Sequence, residues 1–202
     1  MGDPERTSPG SHPRTTIQRA NWSKDIDTVR RLFQEYRQWL YDHRDLAASA
    51  MSVVSGGLAS IDQQIAELPG AHGPPRGEIF LAFQQEELVA CGALRELVPK
   101  VGEFKRLYVR ADHRGPNFGR RLTSAILSRA HELGYERVRV DTLPTMTSAI
   151  QYYQQMGFTP IPAYWPHPVR GALFFEYEVR RPSSTVRRRP ASKSNRSGKG
   201  RA

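Results

Sequence analysis

Cysteine is nearly absent: Cys91 is the one thiol in 202 residues, so an internal disulfide framework and a multi-cysteine zinc site are both excluded. Such a chain suits a reducing compartment, and the cytoplasm is its expected location. No run of about 18 apolar residues occurs that would cross a bilayer as a helix, and the first fourteen residues, MGDPERTSPGSHPR, lack the apolar stretch of a secretory signal. The six histidines, at 12, 43, 72, 113, 131 and 167, show no His-Glu-x-x-His or other ligand spacing, so no metal is expected. Acidic residues are missing from positions 180 to 202, which hold nine Arg and Lys. Most of the formal charge of +10 therefore belongs to a tail, and the remainder of the chain is close to neutral.

Pro, Ser, Gly and Arg dominate residues 1–14 and 181–202. Both segments have too few apolar groups to offset ordering entropy and are predicted to be disordered, leaving one domain over 15–180. TTIQRA at 15–20 reads as a strand, with Ser23 as N-cap of a helix in which Val29, Leu32, Phe33, Tyr36, Trp39 and Leu40 recur at helical spacing. Leu58, Ile61, Ile65 and Leu68 repeat that period before the stop at Pro69-Gly70. The runs 78–83, 87–97 and 103–109 are short and rich in β-formers, separated by a polar turn at Gln85 and a second turn at Pro99-Lys100-Val101-Gly102. A helix at 118–133, a strand at 137–142, a helix at 147–156 and terminal strands near 158–161 and 171–179 follow. The order βααβββαβαββ predicts a mixed, mostly antiparallel α/β sheet with a central βαβ crossover and helices on both faces.

The most informative stretch is RLYVRADHRGPNFGRRL, residues 106–122, where a strand runs through a turn into a helix opening with Phe118, Gly119 and Arg120. Unpaired amides at a helix N-terminus, with the positive end of its dipole, hold a pyrophosphate where small residues let the backbone approach. Arg114, Arg120 and Arg121 add positive charge. An ordinary strand-to-helix connection with surface arginines has the same look. The segment Arg114-Gly115-Pro116-Asn117-Phe118-Gly119, however, resembles the Q/R-x-x-G-x-G/A acetyl-CoA loop of the GCN5-related N-acetyltransferase superfamily, and AIQYYQQMGF at 149–158 is similar to that family's tyrosine-bearing helix. The element order fits the family fold over 15–179.

The resemblance implies an acyl-CoA-dependent N-acyltransferase, with acetyl-CoA lying where strands 103–109 and 137–142 splay apart. Backbone groups of Leu107, Tyr108 and Val109 would pair with the pantetheine arm, and Gly115, Asn117, Phe118, Gly119 and Arg120, with Arg114, would hold the diphosphate. Direct transfer to a primary amine needs a base, a polarised carbonyl and a proton for the thiolate. By position in the family pattern, Glu103 is the candidate base and Tyr153 the candidate acid, with a strand amide such as that of Tyr108 polarising the carbonyl. Glu103 reads equally as a strand carboxylate paired with Lys105 or an arginine, and Tyr153 as a core residue. Neighbouring Tyr152 is turned about 100° away on the helix, so only one of the two should face the cofactor.

Three positions depart from the pattern. Asn117 stands where the family has glycine, a residue tolerant of a left-handed backbone; Pro116 lacks an N–H; and Met146 replaces a frequent Asn. DTLPTMTSAIQYY is similar to a bacterial subgroup. The acceptor is expected to be a small-molecule amine or a protein amine, gripped by the loops at 42–57 and 162–170, where Tyr164, Trp165 and His167 sit among prolines. Arg95, Lys105 and Arg106 are either anchors for an acceptor carboxylate or solvated strand charges. Asp141 and Thr142 end the strand beside the site, and Cys91 reads as a buried small hydrophobe.

A rival reading is a degenerate fold that only binds, its basic tail meeting RNA, DNA or anionic membrane nonspecifically and with steep salt dependence. Deleting residues 181–202 is expected to leave acetyl-CoA affinity intact in a thermal-unfolding titration. A large loss of affinity would overturn the boundary drawn at 180.

Overall fold

The computed structural model describes residues 14–42, 57–115, 117–165 and 171–179, with the backbone alone at 57–60. The expectations placed on both termini, on Pro116, on His167 and on most of the 42–57 loop lie outside the described residues.

Seven strands form one sheet in the order β1-β2-β3-β4-β5-β7-β6. They are β1 (Thr15–Arg19), β2 (Glu78–Gln84), β3 (Glu87–Val98), β4 (Val101–Val109), β5 (Arg137–Thr142), β6 (Thr159–Ile161) and β7 (Leu173–Glu178). The helices are α1 (Ile26–Asp42), α2 (Gly57–Ala66), α3 (Phe118–Glu132) and α4 (Thr147–Gln155). Every pairing is antiparallel except β4 with β5, which α3 connects as a crossover.

Alternation along β2 sets the two layers. Phe80 and Ala82 pack with Leu122, Ile126 and Ala130 of α3 and with Tyr153 of α4, whereas Ile79 and Leu81 pack with Val29, Leu32 and Phe33 of α1 and with Ile61 and Ile65 of α2. Helices thus cover both faces of the sheet; β2 and β3 are apolar on each side, whereas β4 and β5 carry charged residues such as Glu103, Lys105, Arg139 and Asp141 on one. Among the described residues no helix is long and apolar enough to cross a membrane.

Two local expectations change. α1 starts at Ile26 rather than just after Ser23, because the Asn21 carbonyl accepts from Lys24 N and Asp25 N, and Ser23 Oγ donates to Asn21 Oδ1 at 2.7 Å inside that turn. The Asp25 carbonyl then accepts from Val29 N at 2.8 Å and opens the helical ladder. The reversal after β3 is confined to Pro99 and Lys100, with Lys100 at φ 68°, and Val101 already pairs with Val98. Gly102 is a packing glycine within β4: a Cβ there would lie 2.9 Å from Leu94 Cδ1 and 3.2 Å from the Tyr135 ring.

β4 and β5 share only three pairs, Val101–Arg137, Gly102–Val138 and Glu103–Arg139. Beyond them β4 carries a bulge: Cys91 faces Tyr108 and Ala93 faces Lys105, so Gly92 alone opposes both Arg106 and Leu107. Arg106 takes φ 58°, and a bulge of this kind bends its strand and increases the local twist. At Gly92 a side chain is excluded, since a Cβ would lie 2.8 Å from Ile126 Cδ1. α3 therefore seats directly on the β3 backbone opposite the bulge.

His72 closes the short 3-10 turn Gly70–His72, is 2% exposed, meets Phe33 edge-on and lies 3.2 Å from Gln64 Oε1 through Nε2. Burial first, then the charges of Arg106, Arg95 and Lys105, lower its pKa from 6.5 to about 3. The unfolded chain binds the extra proton between those values, so this contribution to stability is complete above 6.5 and is lost as pH falls towards 3, with a slope of up to about 1.4 kcal/mol per pH unit. Urea unfolding across that window should show a shallower loss for His72→Asn than for the wild type; equal slopes would remove His72 as the cause.

Candidate active site

The gap between β4 and β5 opens beside the start of α3. Arg121 N donates to Asn117 O at 3.0 Å as the first i→i−4 bond of the helix, so the amides of Phe118, Gly119 and Arg120 precede it and have no acceptor within the helix. No side chain caps this end. Phe118 is buried against the core and fixes the helix start, while a Cβ at Gly115 would meet nothing within 4 Å and one at Gly119 only Tyr152 Cζ at 3.9 Å. Neither glycine is demanded by packing. The space and the open amides suit a diphosphate.

Asn117 has φ −107° and ψ −42°, so the left-handed conformation anticipated for this position does not occur. The turn is made instead by the short 3-10 segment Ala111–His113 followed by extended Arg114, and an Asn backbone is unstrained there. Arg114 points back from the loop: its Nε donates to the Val109 carbonyl at 3.2 Å and its guanidinium lies 4.9 Å from the Trp39 ring centre. Arg121 Nη2 donates to Thr15 O at 3.1 Å. Leu107, Tyr108 and Val109 all lie past the last β4–β5 pair, along the stretch of β4 that β5 leaves uncovered.

The adjacent tyrosines of α4 diverge. Tyr152 donates to Thr123 Oγ1 of α3 at 2.7 Å. Tyr153 is 6% exposed, and its ring packs on Phe104, Phe158 and Phe175 at 6.2, 5.6 and 6.2 Å between centres. Phe104 is the first β4 residue beyond the parallel ladder, so this ring sits at the point where the strands part. Burial, with smaller contributions from Tyr36 and Asp141 on the opposite face, pushes the Tyr153 pKa well above 10. Its phenol is neutral at any ordinary pH. Met146 precedes α4, and its sulfur accepts from Thr142 Oγ1 at 3.7 Å.

On the α1 side of the same opening lies a charged chamber. Glu103 is 1% exposed, and both of its oxygens are engaged: Oε2 accepts from Nε and Nη2 of Arg95, both at 2.6 Å, and Oε1 meets Lys105 Nζ at 3.1 Å and the Tyr164 hydroxyl at 2.9 Å. Lys105 also pairs with Asp141 across the gap between β4 and β5. Burial and the Glu103 charge hold the Tyr164 phenol protonated. Tyr164 packs edge-on against Phe174 at 5.1 Å and beneath Arg139, while Trp165 lies 5.6 Å from Lys105 Nζ. Arg95, Lys105 and Arg106 are thus partly buried and face the chamber; they are not the solvated strand charges of the alternative reading. Cys91 is fully buried and its thiol is pushed up to about 12 by burial, as befits a packing residue.

Sequence reasoning missed the contribution of the first two helices. Tyr36 and Trp39 share the helical stripe that packs the core, yet their rings meet Tyr108 at 5.6 and 6.5 Å and wall the chamber. Gln64 carries the one-residue offset between Ile61 and Ile65 that turns it inward, and it accepts from Arg106 at 2.7 Å. His72 lies in a Pro- and Gly-rich stretch that carries only a loop signal. Among the described residues no group of His, Cys, Asp and Glu is arranged to hold a metal ion.

The sequence profile of the acetyltransferase (GNAT) family matches residues 26–158, which contain the loop, the gap and both tyrosines. An uncharacterised N-acetyltransferase of Dictyostelium discoideum is 36% identical over 204 residues, spanning 71% of this chain and 89% of that protein. One from Schizosaccharomyces pombe is 28% identical over 158 residues, spanning 77% and 90%. These two relatives carry the likeness beyond the bacterial subgroup suggested by DTLPTMTSAIQYY. The PaiA N-acetyltransferase from Thermoplasma acidophilum, solved with coenzyme A, shares the fold with a TM-score of 0.60 at 14% identity over 82% of this chain and 99% of its own. A strand opening beside an uncapped helix start, in a chain matched by the family profile over most of its domain, makes this protein a member of the acetyltransferase (GNAT) family of acyl-CoA N-acyltransferases.

Proposed function

We propose that the protein transfers an acetyl group from acetyl-CoA to the primary amine of a small molecule. The observation that carries this reading is the coincidence of three features at one place: the end of the β4–β5 ladder, the open amides of α3 and a neutral buried tyrosine. Bound there, acetyl-CoA supplies an activated acyl carbon and a thiolate leaving group. Phe118, Gly119 and Arg120 hold its diphosphate through their amides, and the uncovered edge of β4 at Leu107–Val109 holds the extended arm.

The attacking nitrogen must give up a proton. Both Glu103 oxygens are occupied, so that proton reaches Oε1 through the Tyr164 hydroxyl, which passes its own proton to the carboxylate as it accepts the amine's. Tyr153 retains its proton until it delivers it to the departing sulfur. The aromatic rings of Tyr36, Trp39, Tyr108 and Trp165 gathered on this side favour a small amine over a protein chain.

Three experiments test this. Acetyl-CoA at one hundred times its dissociation constant should stabilise the fold by about 2.7 kcal/mol, read as a rise in Tm. Gly119→Ala should fold as well as the wild type, because the added methyl meets only Tyr152 Cζ at 3.9 Å, yet bind acetyl-CoA at least about tenfold more weakly; wild-type affinity in that variant would remove α3 as the phosphate site. Tyr153→Phe and Glu103→Gln should each lower kcat by roughly 10²-fold or more with acetyl-CoA binding nearly unchanged. Turnover at the wild-type rate in either variant would remove that residue from its role.

A further inference from the structure

The charges facing the chamber do not balance. Arg95 is matched by Glu103, and Lys105 is shared between Glu103 and Asp141. Arg139 is matched by Glu176 at 2.7 Å. Arg106 has no carboxylate within ion-pair distance among the described residues. Its Nη2 donates to the neutral Gln64 Oε1 at 2.7 Å, and its Nε is buried with no hydrogen-bond partner. His72, the other ring nearby, is held neutral and shares the same Gln64 oxygen.

The position follows from the bulge. An extra residue in β4 breaks the alternation of faces, so Lys105 and Arg106 both turn towards α1 and α2 while Leu107 returns to the α3 side. The guanidinium comes to rest 6.0 Å from the Tyr36 ring centre, between α1, α2 and the gap. A fixed guanidinium with a buried, orphaned Nε–H, in a cluster of side chains that carries one surplus positive charge, suits a planar monoanion. A carboxylate matches the guanidinium fork in shape and cancels a single charge, whereas a phosphate dianion would overshoot it.

We propose that Arg106, set by the β4 bulge and steadied by Gln64, binds a carboxylate of the acceptor, so that the substrate is an amine that also carries a carboxylate, in the manner of a free amino acid. This rests on the transferase reading above. Arg106 grips the end of the acceptor remote from the nitrogen, while Glu103 and Tyr164 attend to the nitrogen itself.

The test uses the full chain, with and without CoA, against a panel of amino acids and their decarboxylated amines, for example phenylalanine with phenethylamine and leucine with 3-methylbutylamine. Millimolar amino acids should raise the Tm of the CoA-bound wild type and the matched amines should not. In Arg106→Met the shift caused by CoA should persist and the carboxylate-dependent shift should vanish. Rates of CoA release should favour the carboxylated member of each pair by about tenfold or more in the wild type, and that preference should collapse in the variant. If Arg106→Met fails to fold, Arg106→Lys, which keeps the charge without the fork, should weaken the carboxylate-dependent shift. The proposal is overturned if no amino acid stabilises the wild type, if the shift survives in the variants, or if loss of Arg106 slows carboxylated and decarboxylated amines equally, which would place the guanidinium at the acyl oxygen instead. Absence of a CoA shift alone would count against the transferase reading, and the amino-acid shifts measured without CoA would still decide the role of Arg106.

Discussion

Three residue pairs hold β4 against β5, and Glu103, Lys105, Arg106, Asp141 and Tyr153 all gather around the place where that ladder stops. In that register the pairing could continue to Thr142 opposite Arg106, but an extra residue at Arg106–Leu107 bends β4 away. The bend holds a non-glycine residue at φ 58°, a conformation that costs about 1–2 kcal/mol when nothing supports it. Support comes from both faces, with Ile126 seated on Gly92 on one side and Gln64 and Tyr36 meeting the Arg106 guanidinium on the other. One strained residue thereby exposes a strand edge, reverses the facing of the side chains that follow and brings two cations to the same side.

Electrostatics on the α1 face follow from that geometry. A carboxylate as buried as Glu103 is tolerable only because a bidentate arginine, a lysine and a phenol replace the water it has lost. Lys105 reaches Asp141 on β5 two residues past the last backbone pair. A side-chain bridge therefore spans the opening where main-chain hydrogen bonds no longer do, which sets the width of the gap on the α1 side. On the other face the aromatic packing around Tyr153 closes the same gap with apolar surface.

Hydrophobic period and turn chemistry locate all eleven major elements, even β1 and β6, which contain no buried residue. Gly115 and Gly119 are legible as small residues that let a ligand approach the backbone, and packing demands neither of them. Gly102 and Gly92 misled or stayed silent, because a glycine demanded by a neighbour at long range, Tyr135 or Ile126, carries no local signature. The bulge was invisible for a related cause: RLYV is an ordinary strand sequence, and its irregularity is imposed by what packs on either side. Tyr36, Trp39 and Gln64 belong to helices whose period places them inward without saying whether inward means core or cavity.

The contact between Ile126 and the bare backbone of Gly92 makes α3 a lever. Its fulcrum lies eight residues, about 12 Å, from the helix start, so a small tilt at Ile126 becomes a displacement of the open amides of Phe118, Gly119 and Arg120. Volume changes deep in the hydrophobic layer would therefore shift the open amides before they unfold anything, and related proteins can differ at this end of the helix through positions remote from it.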